Sequence, residues 1–153
     1  MAPAEDRLAM ARLQFAGLAG AAVDGRELRR QGPSYTTDTL RELLAEHPGV
    51  RLYFLIGSDN LPLLPTWHEH HELLALATVA TWPRRGHPVT AATLDGLDLT
   101  ADERRALLAN VLQVPADDLS ASELRARLGA GERRPAGLSP DVAAYIEERG
   151  LYR

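Results

Sequence analysis

The chain has 153 residues with 45% hydrophobic, 25% charged and a net charge of −4, which suits one globular domain over residues 1–153 and argues against a nucleic-acid partner. There is no cysteine, and all 17 basic residues are arginine, so disulfides, thiolate metal sites, a Schiff-base lysine and a P-loop lysine are excluded. The start, Met1-Ala2-Pro3-Ala4-Glu5-Asp6, lacks the basic and apolar regions of a secretory signal, and the longest apolar run (residues 73–80, interrupted by Thr78) is too short for a bilayer; the expectation is a soluble, cytoplasmic protein with no membrane partner.

Leu8, Ala11, Phe15 and Leu18 fall at helical spacing, predicting an amphipathic helix entered through Glu5 and Asp6, acids that suit the positive end of the helix dipole. Ala21-Ala22-Val23 before Asp24-Gly25 predicts a brief strand and turn. After the loop Gly32-Pro33-Ser34, Thr36 or Thr37 is the expected cap of a helix with Leu40, Leu43 and Leu44 on its apolar face, closed by His47-Pro48-Gly49. Residues 52–56 form the strongest strand pattern, continuously apolar as a strand covered on both faces would be, and expected to be the most buried of the sheet. Pro62 and Pro65 mark an irregular loop before a helix running from Trp67 or His68 to Leu76. Residues 78–82 predict a second buried strand, halted by Pro83-Arg84-Arg85-Gly86. Residues 87–98 read as loop. Thr100-Ala101-Asp102-Glu103 is a capping box, residues 111–114 a short strand closed by Pro115, and Ser120-Ala121-Ser122-Glu123 a second box before a helix burying Leu124 and Leu128. Ser139-Pro140 opens a last helix, with Val142, Ala143 and Ile146 inward and Gly150 as its stop. Strands alternating with helices indicate an α/β fold with a parallel sheet.

In such sheets ligands bind outside the carboxyl ends of the strands. Three loops leave such ends. Gly57-Ser58-Asp59-Asn60 offers close backbone approach and a carboxylate for ribose hydroxyls; Pro83-Arg84-Arg85-Gly86 offers two guanidiniums; residues 115–122 offer a hydroxyl-rich helix start with Arg125 close behind, an anion site. Together they suggest a nucleotide with phosphates, although the same loops read equally as turns with solvated arginines. Trp67, at a loop-to-helix junction, is placed to stack on a planar ring, whereas Trp82 reads as core. His68-Glu69-His70-His71-Glu72 does not match H-E-x-x-H; only His68 and His71 share a helix face, and an exposed polar face is the expectation rather than a metal site. Neither G-x-S-x-G nor G-x-G-x-x-G occurs.

Six segments in order carry a family resemblance over essentially the whole chain. Gly32-Pro33-Ser34-Tyr35-Thr36-Thr37-Asp38-Thr39-Leu40, Phe54-Leu55-Ile56-Gly57-Ser58-Asp59-Asn60, Pro65-Thr66-Trp67, Pro83-Arg84-Arg85-Gly86, Leu119-Ser120-Ala121-Ser122-Glu123-Leu124-Arg125 and the ending from Leu138-Ser139-Pro140 to Gly150-Leu151-Tyr152 resemble bacterial nicotinate-nucleotide adenylyltransferases. The resemblance implies a Rossmann-like nucleotidyltransferase fold. It implies transfer of AMP from ATP to nicotinate mononucleotide, giving deamido-NAD and pyrophosphate in NAD biosynthesis, with magnesium (Mg2+) accompanying ATP. It assigns Tyr35, Thr36 and Trp67 to the nicotinate nucleotide, Gly57 and Asp59 to adenosine or its ribose, Arg84 to the nucleotide site, and Ser120, Ser122 and Arg125 to the ATP phosphates. Ala121 and Ser122 stand where the family's motif has a serine and a threonine.

The family's G-G-[TS]-F-D-P-x-H-x-G-H loop has no counterpart in these residues, so no catalytic residue is named. The resemblance implies that an opening βαβ unit of at least about 30 residues lies outside this sequence. Three readings follow from that departure: an enzyme whose sequence here is incomplete at its start, a non-catalytic nucleotide binder or partner-dependent half, and a fragment that folds poorly. The strand edges left open would suit self-association into a homo-oligomer.

Overall fold

The computed structural model describes residues 2–116 and 121–152. Its elements are α1 (Ala4–Phe15), α2 (Arg26–Arg29), α3 (Thr36–Glu46), β1 (Leu52–Gly57), α4 (His70–Leu76), β2 (Ala77–Trp82), α5 (Ala91–Leu94), α6 (Ala101–Ala109), α7 (Ala121–Gly129) and α8 (Pro140–Arg149), with a 3-10 stretch over Ser58–Thr66. They fall into two compact units, one of residues Gln31–Asp118 and the other of Met1–Arg30 with Leu119–Arg153. No helix among the described residues is long and apolar enough to cross a membrane.

The first unit is α/β, as expected. β1 and β2 pair in parallel, Leu52 opposite Ala77 through Gly57 opposite Trp82, so the strands end side by side and their following loops start from the same edge. In β2, Ala77, Val79 and Thr81 are buried and alternate with half-buried neighbours. β1 is not the more buried strand that its apolar run predicts. Side chains alternate across a strand, and Tyr53 and Leu55 share a face that is open among the described residues, at 63% and 55% exposure. Hydrophobicity on both faces says what a strand suits, not what covers it.

The third expected strand, at residues 111–114, is reduced to one parallel bridge. Thr81 N–H donates to the Asn110 carbonyl and Leu112 N–H to the Thr81 carbonyl, each at 2.9 Å. Thr81 is the penultimate residue of β2, so the ladder runs out one residue later, where Pro83 turns the chain.

Four further expectations are corrected. The Pro62–Pro65 segment is no irregular loop: a 3-10 turn brings residues three apart onto one side, and Leu61 and Leu64 enter the core there. Residues 87–98 are not simply loop. Thr90 and Thr93 form a capping box that opens α5, and Leu94 and Leu99 are buried in the core with Leu64, Leu73 and Leu107. α4 begins at His70 rather than at 67 or 68, because Glu69 takes a left-handed conformation, φ 52°, which ends the preceding path and sets a new direction. α3 begins at Thr36, ahead of where a Thr36 or Thr37 cap would start it, and carries no side-chain cap; Tyr35 is its N-cap residue, and Thr37 is fully buried instead. The Thr100–Glu103 box forms as expected: Thr100 N–H donates to Glu103 Oε2 at 2.6 Å and Glu103 N–H to Thr100 Oγ1 at 3.2 Å.

In the second unit, α8 follows its sequence closely. Ser139 caps it, Pro140 opens it, Val142, Ala143 and Ile146 are buried, and Gly150 ends it at φ 61°. α1 packs against α8, but not through the expected stripe: Phe15 is 46% exposed, and Leu18 lies beyond the helix. Asp6 is buried instead, accepting from Tyr145 Oη at 2.8 Å and Arg149 Nε at 3.2 Å, so its partner is a side-chain pair rather than the helix dipole. Residues 21–23 form no strand. On α7, Leu124 and Leu128 are half-buried rather than buried. The second capping box rests on Ser120, which lies outside the described residues.

Candidate functional site

The residues of the Ser34–Thr36 loop and of the turn before α4 are 31 or more positions apart, yet the fold brings them together. A cleft of about 190 Å3 is lined by Ser34, Tyr35, Thr36, Trp67, His68 and Leu73. Leu73, fully buried, anchors α4 beneath it. Tyr35 and His68 stack with ring centroids 3.9 Å apart and planes at 27°. Trp67 is fixed by its N–H, which donates to the Leu64 carbonyl at 3.0 Å, and by an edge-on contact with Phe54 at 6.0 Å. The cleft therefore presents aromatic faces beside the start of α3, whose first N–H groups have no side-chain cap. Such a helix start attracts anions.

An ion network braces these two walls. Arg41 on α3 donates through Nε to Glu72 Oε1 at 2.9 Å, through Nη1 to Asp38 Oδ1 at 3.0 Å and through Nη2 to Glu69 Oε2 at 2.6 Å. The hydrogen bonds to Glu72 and then Glu69 raise the Arg41 pKa above its ordinary value, and the guanidinium holds the Glu72 carboxyl below the usual range. Glu69 is the residue whose left-handed turn separates His68 from α4, so the network also secures that turn.

A second group sits where β1 and β2 end. Gly57 closes β1; a Cβ there would collide with Asp59 Oδ1 and crowd Arg84 Nε at 3.1 Å. Its φ of −73° is open to any residue, so a larger side chain there meets no backbone barrier and would instead push the Asp59 carboxylate and the Arg84 side chain aside. Buried Ser58 accepts from Arg84 N–H at 2.8 Å, stitching the loop after β1 to the loop after β2. Arg84 Nε stands 3.8 Å from Asp59 Oδ1, an ion pair too long for a hydrogen bond. Gly57, Asp59 and Arg84 thus meet at the carboxyl edge of a parallel sheet.

The third expected group lies on α7, in the other unit. Arg125 Nη2 donates to Ser122 Oγ at 3.0 Å; Ser120 lies outside the described residues. The sequence reading missed Ser58, His68 and Arg41. Ser58 stood in a loop read for its carboxylate and glycine, and His68 in a cluster read as a polar face, while the partners of Arg41 lie up to 31 residues away with no local signal.

No family model matches the chain. Curated relatives do. It is 40% identical over 154 residues to the probable nicotinate-nucleotide adenylyltransferase of Albidiferax ferrireducens, covering 100% of this chain and 75% of the relative. It is 42% identical over 161 residues to that of Aeromonas hydrophila, covering 97% and 74%, and 40% identical over 161 residues to that of Chromobacterium violaceum, covering 99% and 76%. The chain thus spans about three quarters of these relatives' length. Among solved structures it is similar to Plasmodium falciparum nicotinic acid mononucleotide adenylyltransferase complexed with APC, with a TM-score of 0.70 at 18% identity over 97% of this chain and 75% of that one. The same enzyme complexed with NaAD gives 0.66. That likeness shows a Rossmann-like nucleotidyltransferase fold. On the strength of whole-chain identity at about 40% to relatives that share one name, the chain belongs to the nicotinate-nucleotide adenylyltransferase family.

Proposed function

We propose that the chain supplies the nucleotide-binding residues for transfer of AMP from ATP to nicotinate mononucleotide, the step of NAD biosynthesis that yields deamido-NAD and pyrophosphate. A phosphate oxygen of the mononucleotide bonds to the α-phosphorus of ATP as the bond to the pyrophosphate oxygen breaks. The observation that carries this reading is the convergence of Tyr35, Thr36 and Trp67 on one cleft in a chain whose relatives bear the name of that activity. Trp67 offers its face to the pyridine ring, and the uncapped start of α3 at Thr36 offers N–H groups to the nicotinate carboxylate.

The Gly57–Asp59–Arg84 corner would take the adenosine end of ATP: Asp59 accepts from ribose hydroxyls, Gly57 gives the nucleotide room, and Arg84 brings positive charge to its edge. Ser120, Ser122 and Arg125 would bind the ATP phosphates. Nucleotidyltransferases acting on ATP generally use a divalent metal, and we take it here to be magnesium carried in with ATP. Among the described residues, the cluster with three donors is His70, His71 and Asp98; two imidazoles do not suit magnesium, which favours oxygen ligands. The reducing cytoplasm suits a cysteine-free protein, and is the compartment we assign.

Fluorescence tests the cleft. Nicotinate mononucleotide should change the tryptophan emission of this chain, and Trp67→Leu should abolish the change while Trp82→Phe keeps it. A response that survives Trp67→Leu sinks the assignment. The alternative reading is nucleotide binding without turnover by these 153 residues, which hold no H-x-G-H. Losing one well-placed charge-stabilising donor typically costs about 10²–10³ in rate. Pyrophosphate release by these 153 residues, compared with a version extended upstream, separates the two: equal rates would place the catalytic groups within this chain.

A further inference from the structure

We propose that His70, His71 and Asp98 bind one borderline divalent metal ion, of the zinc and cobalt class, with Glu103 orienting His71 from behind. One ligand atom from each of the three lies within 4.8 Å of the others. His71 Nε2 is 3.8 Å from Asp98 Oδ1, and His70 Nε2 is 3.9 Å from Asp98 Oδ2. Those distances are too long for hydrogen bonds. They are within reach of a shared ion, since zinc bonds imidazole nitrogen and carboxylate oxygen at about 2.0–2.2 Å and two of its ligands can stand up to about twice that apart.

The arrangement behind the ligands supports the same reading. Glu103 Oε1 accepts from His71 Nδ1 at 2.8 Å, so that nitrogen carries a proton and Nε2, which faces Asp98, is the one the neutral ring offers to a metal. A carboxylate on the far nitrogen is the usual partner of a metal-bound histidine, where it fixes the ring and raises its basicity. Glu103 is itself held, because its other oxygen accepts from Thr100 N–H in the α6 capping box. Neighbouring residues on a helix ordinarily diverge. Here the His70 and His71 rings lie 4.0 Å apart, both turned toward the segment that carries Asp98.

Metal binding through His70 Nε2 would give up one hydrogen bond, to the Asp98 carbonyl at 2.9 Å, and shift that ring's proton to Nδ1. Two imidazoles and one carboxylate suit zinc or cobalt better than magnesium or calcium. Three protein ligands leave a position for water. The ion would tie the start of α4 to the segment between α5 and α6, a structural strap built from residues that the proposed nucleotide chemistry does not use.

The test is a Co2+ titration of the 153-residue chain followed by visible absorption, then displacement by Zn2+. A saturable one-to-one cobalt spectrum, lost on adding zinc, is expected. Asp98→Asn and His71→Asn should each weaken binding by more than tenfold, and Glu103→Gln, which keeps the capping box, by about tenfold to a hundredfold. Asp98 is 80% exposed, so its replacement leaves the packing intact; unchanged circular dichroism would confirm it. No saturable binding, equal affinity in Asp98→Asn, or binding lost instead in His68→Asn or His87→Asn would overturn the proposal.

Discussion

The cleft at Tyr35, Thr36 and Trp67 and the corner at Gly57, Asp59 and Arg84 belong to one unit but are held by different means. The corner is built by adjacent strand ends: β1 and β2 finish opposite each other, and one hydrogen bond from Arg84 N–H to Ser58 Oγ completes it. The cleft has no such ladder. Its walls come from the start of α3 and from a turn before α4, and they meet only because the core beneath them and the Arg41 network above them hold two helices together. Local pairing makes a site robust, whereas a site assembled from distant segments depends on what braces it.

The strongest way to break the comparison is to remove the packing on which both sites rest. Leu73 is fully buried and lines the cleft. Leu73→Ala should cost about 2–5 kcal/mol of stability, as large-to-small core substitutions do, visible as a large drop in the thermal or urea midpoint. A midpoint within error of the wild type would mean that the core closes without it.

Next comes a substitution aimed at the corner alone. Gly57→Val places a branched side chain where even a Cβ meets Asp59 and Arg84. Both are partly exposed side chains, at 45% and 34%, so they can swing aside and the fold should survive. If the displaced Asp59 carboxylate contacts ATP, affinity for ATP should fall about tenfold or more in calorimetry, since about 1.4 kcal/mol is tenfold. Affinity for nicotinate mononucleotide should hold. Equal loss of both ligands would show that the two sites are not separately built.

Much of the corner was legible in the sequence and little of the cleft's support was. Gly57-Ser58-Asp59 follows directly on a strand pattern, and strand ends are where parallel sheets place ligands. The capping box at Thr100 and the helix start at Ser139-Pro140 were legible because each is local: at both, the side-chain acceptor and the N–H it takes lie three residues apart. Burial was less so. The apolar run of β1 predicted cover on both faces, but cover belongs to other segments, and Tyr53 and Leu55 are exposed. Histidine spacing pointed to His68 with His71, whereas the fold stacks His68 on Tyr35 and sets His70 and His71 toward Asp98, 28 residues after His70. Contacts between segments so far apart leave no periodic trace in the chain.

Arg41 sharpens the contrast on the cleft side. Its guanidinium reaches Asp38, Glu69 and Glu72, and its side chain is 39% exposed, so solvent screens much of the attraction. Arg41→Met keeps the aliphatic stem but removes the brace. A few-fold loss, about threefold, in affinity for nicotinate mononucleotide is expected, because weak surface pairs still govern how well a loop is positioned, with ATP affinity unchanged. Equal mononucleotide affinity would mean that packing alone aligns the walls.

The smallest effect should come from a brace that is entirely local. On α7, Arg127 makes a two-pronged contact with Glu132, Nε to Oε2 and Nη2 to Oε1, both at 2.7 Å. Glu132 N–H also donates to the Arg127 carbonyl at 3.0 Å, so the pair folds the chain back just past the helix end. The hydrogen bond from Arg127 holds the Glu132 carboxyl below its ordinary value of 4.5. A carboxyl whose pKa is lower folded than unfolded adds stability that is present above its unfolded value. That contribution is lost as pH falls through the lower, folded value. The melting temperature of the wild type should therefore carry a small acid-side decline beginning near pH 4.5 and continuing below it. Glu132→Gln should flatten that part of the curve while leaving the plateau near pH 7 only slightly lower, since both side chains are partly exposed, at 34% and 43%. Five residues separate this pair and 31 separate Arg41 from Glu72. If Glu132→Gln disturbed mononucleotide binding as much as Arg41→Met does, the distinction between a local brace and one that assembles the cleft would fail.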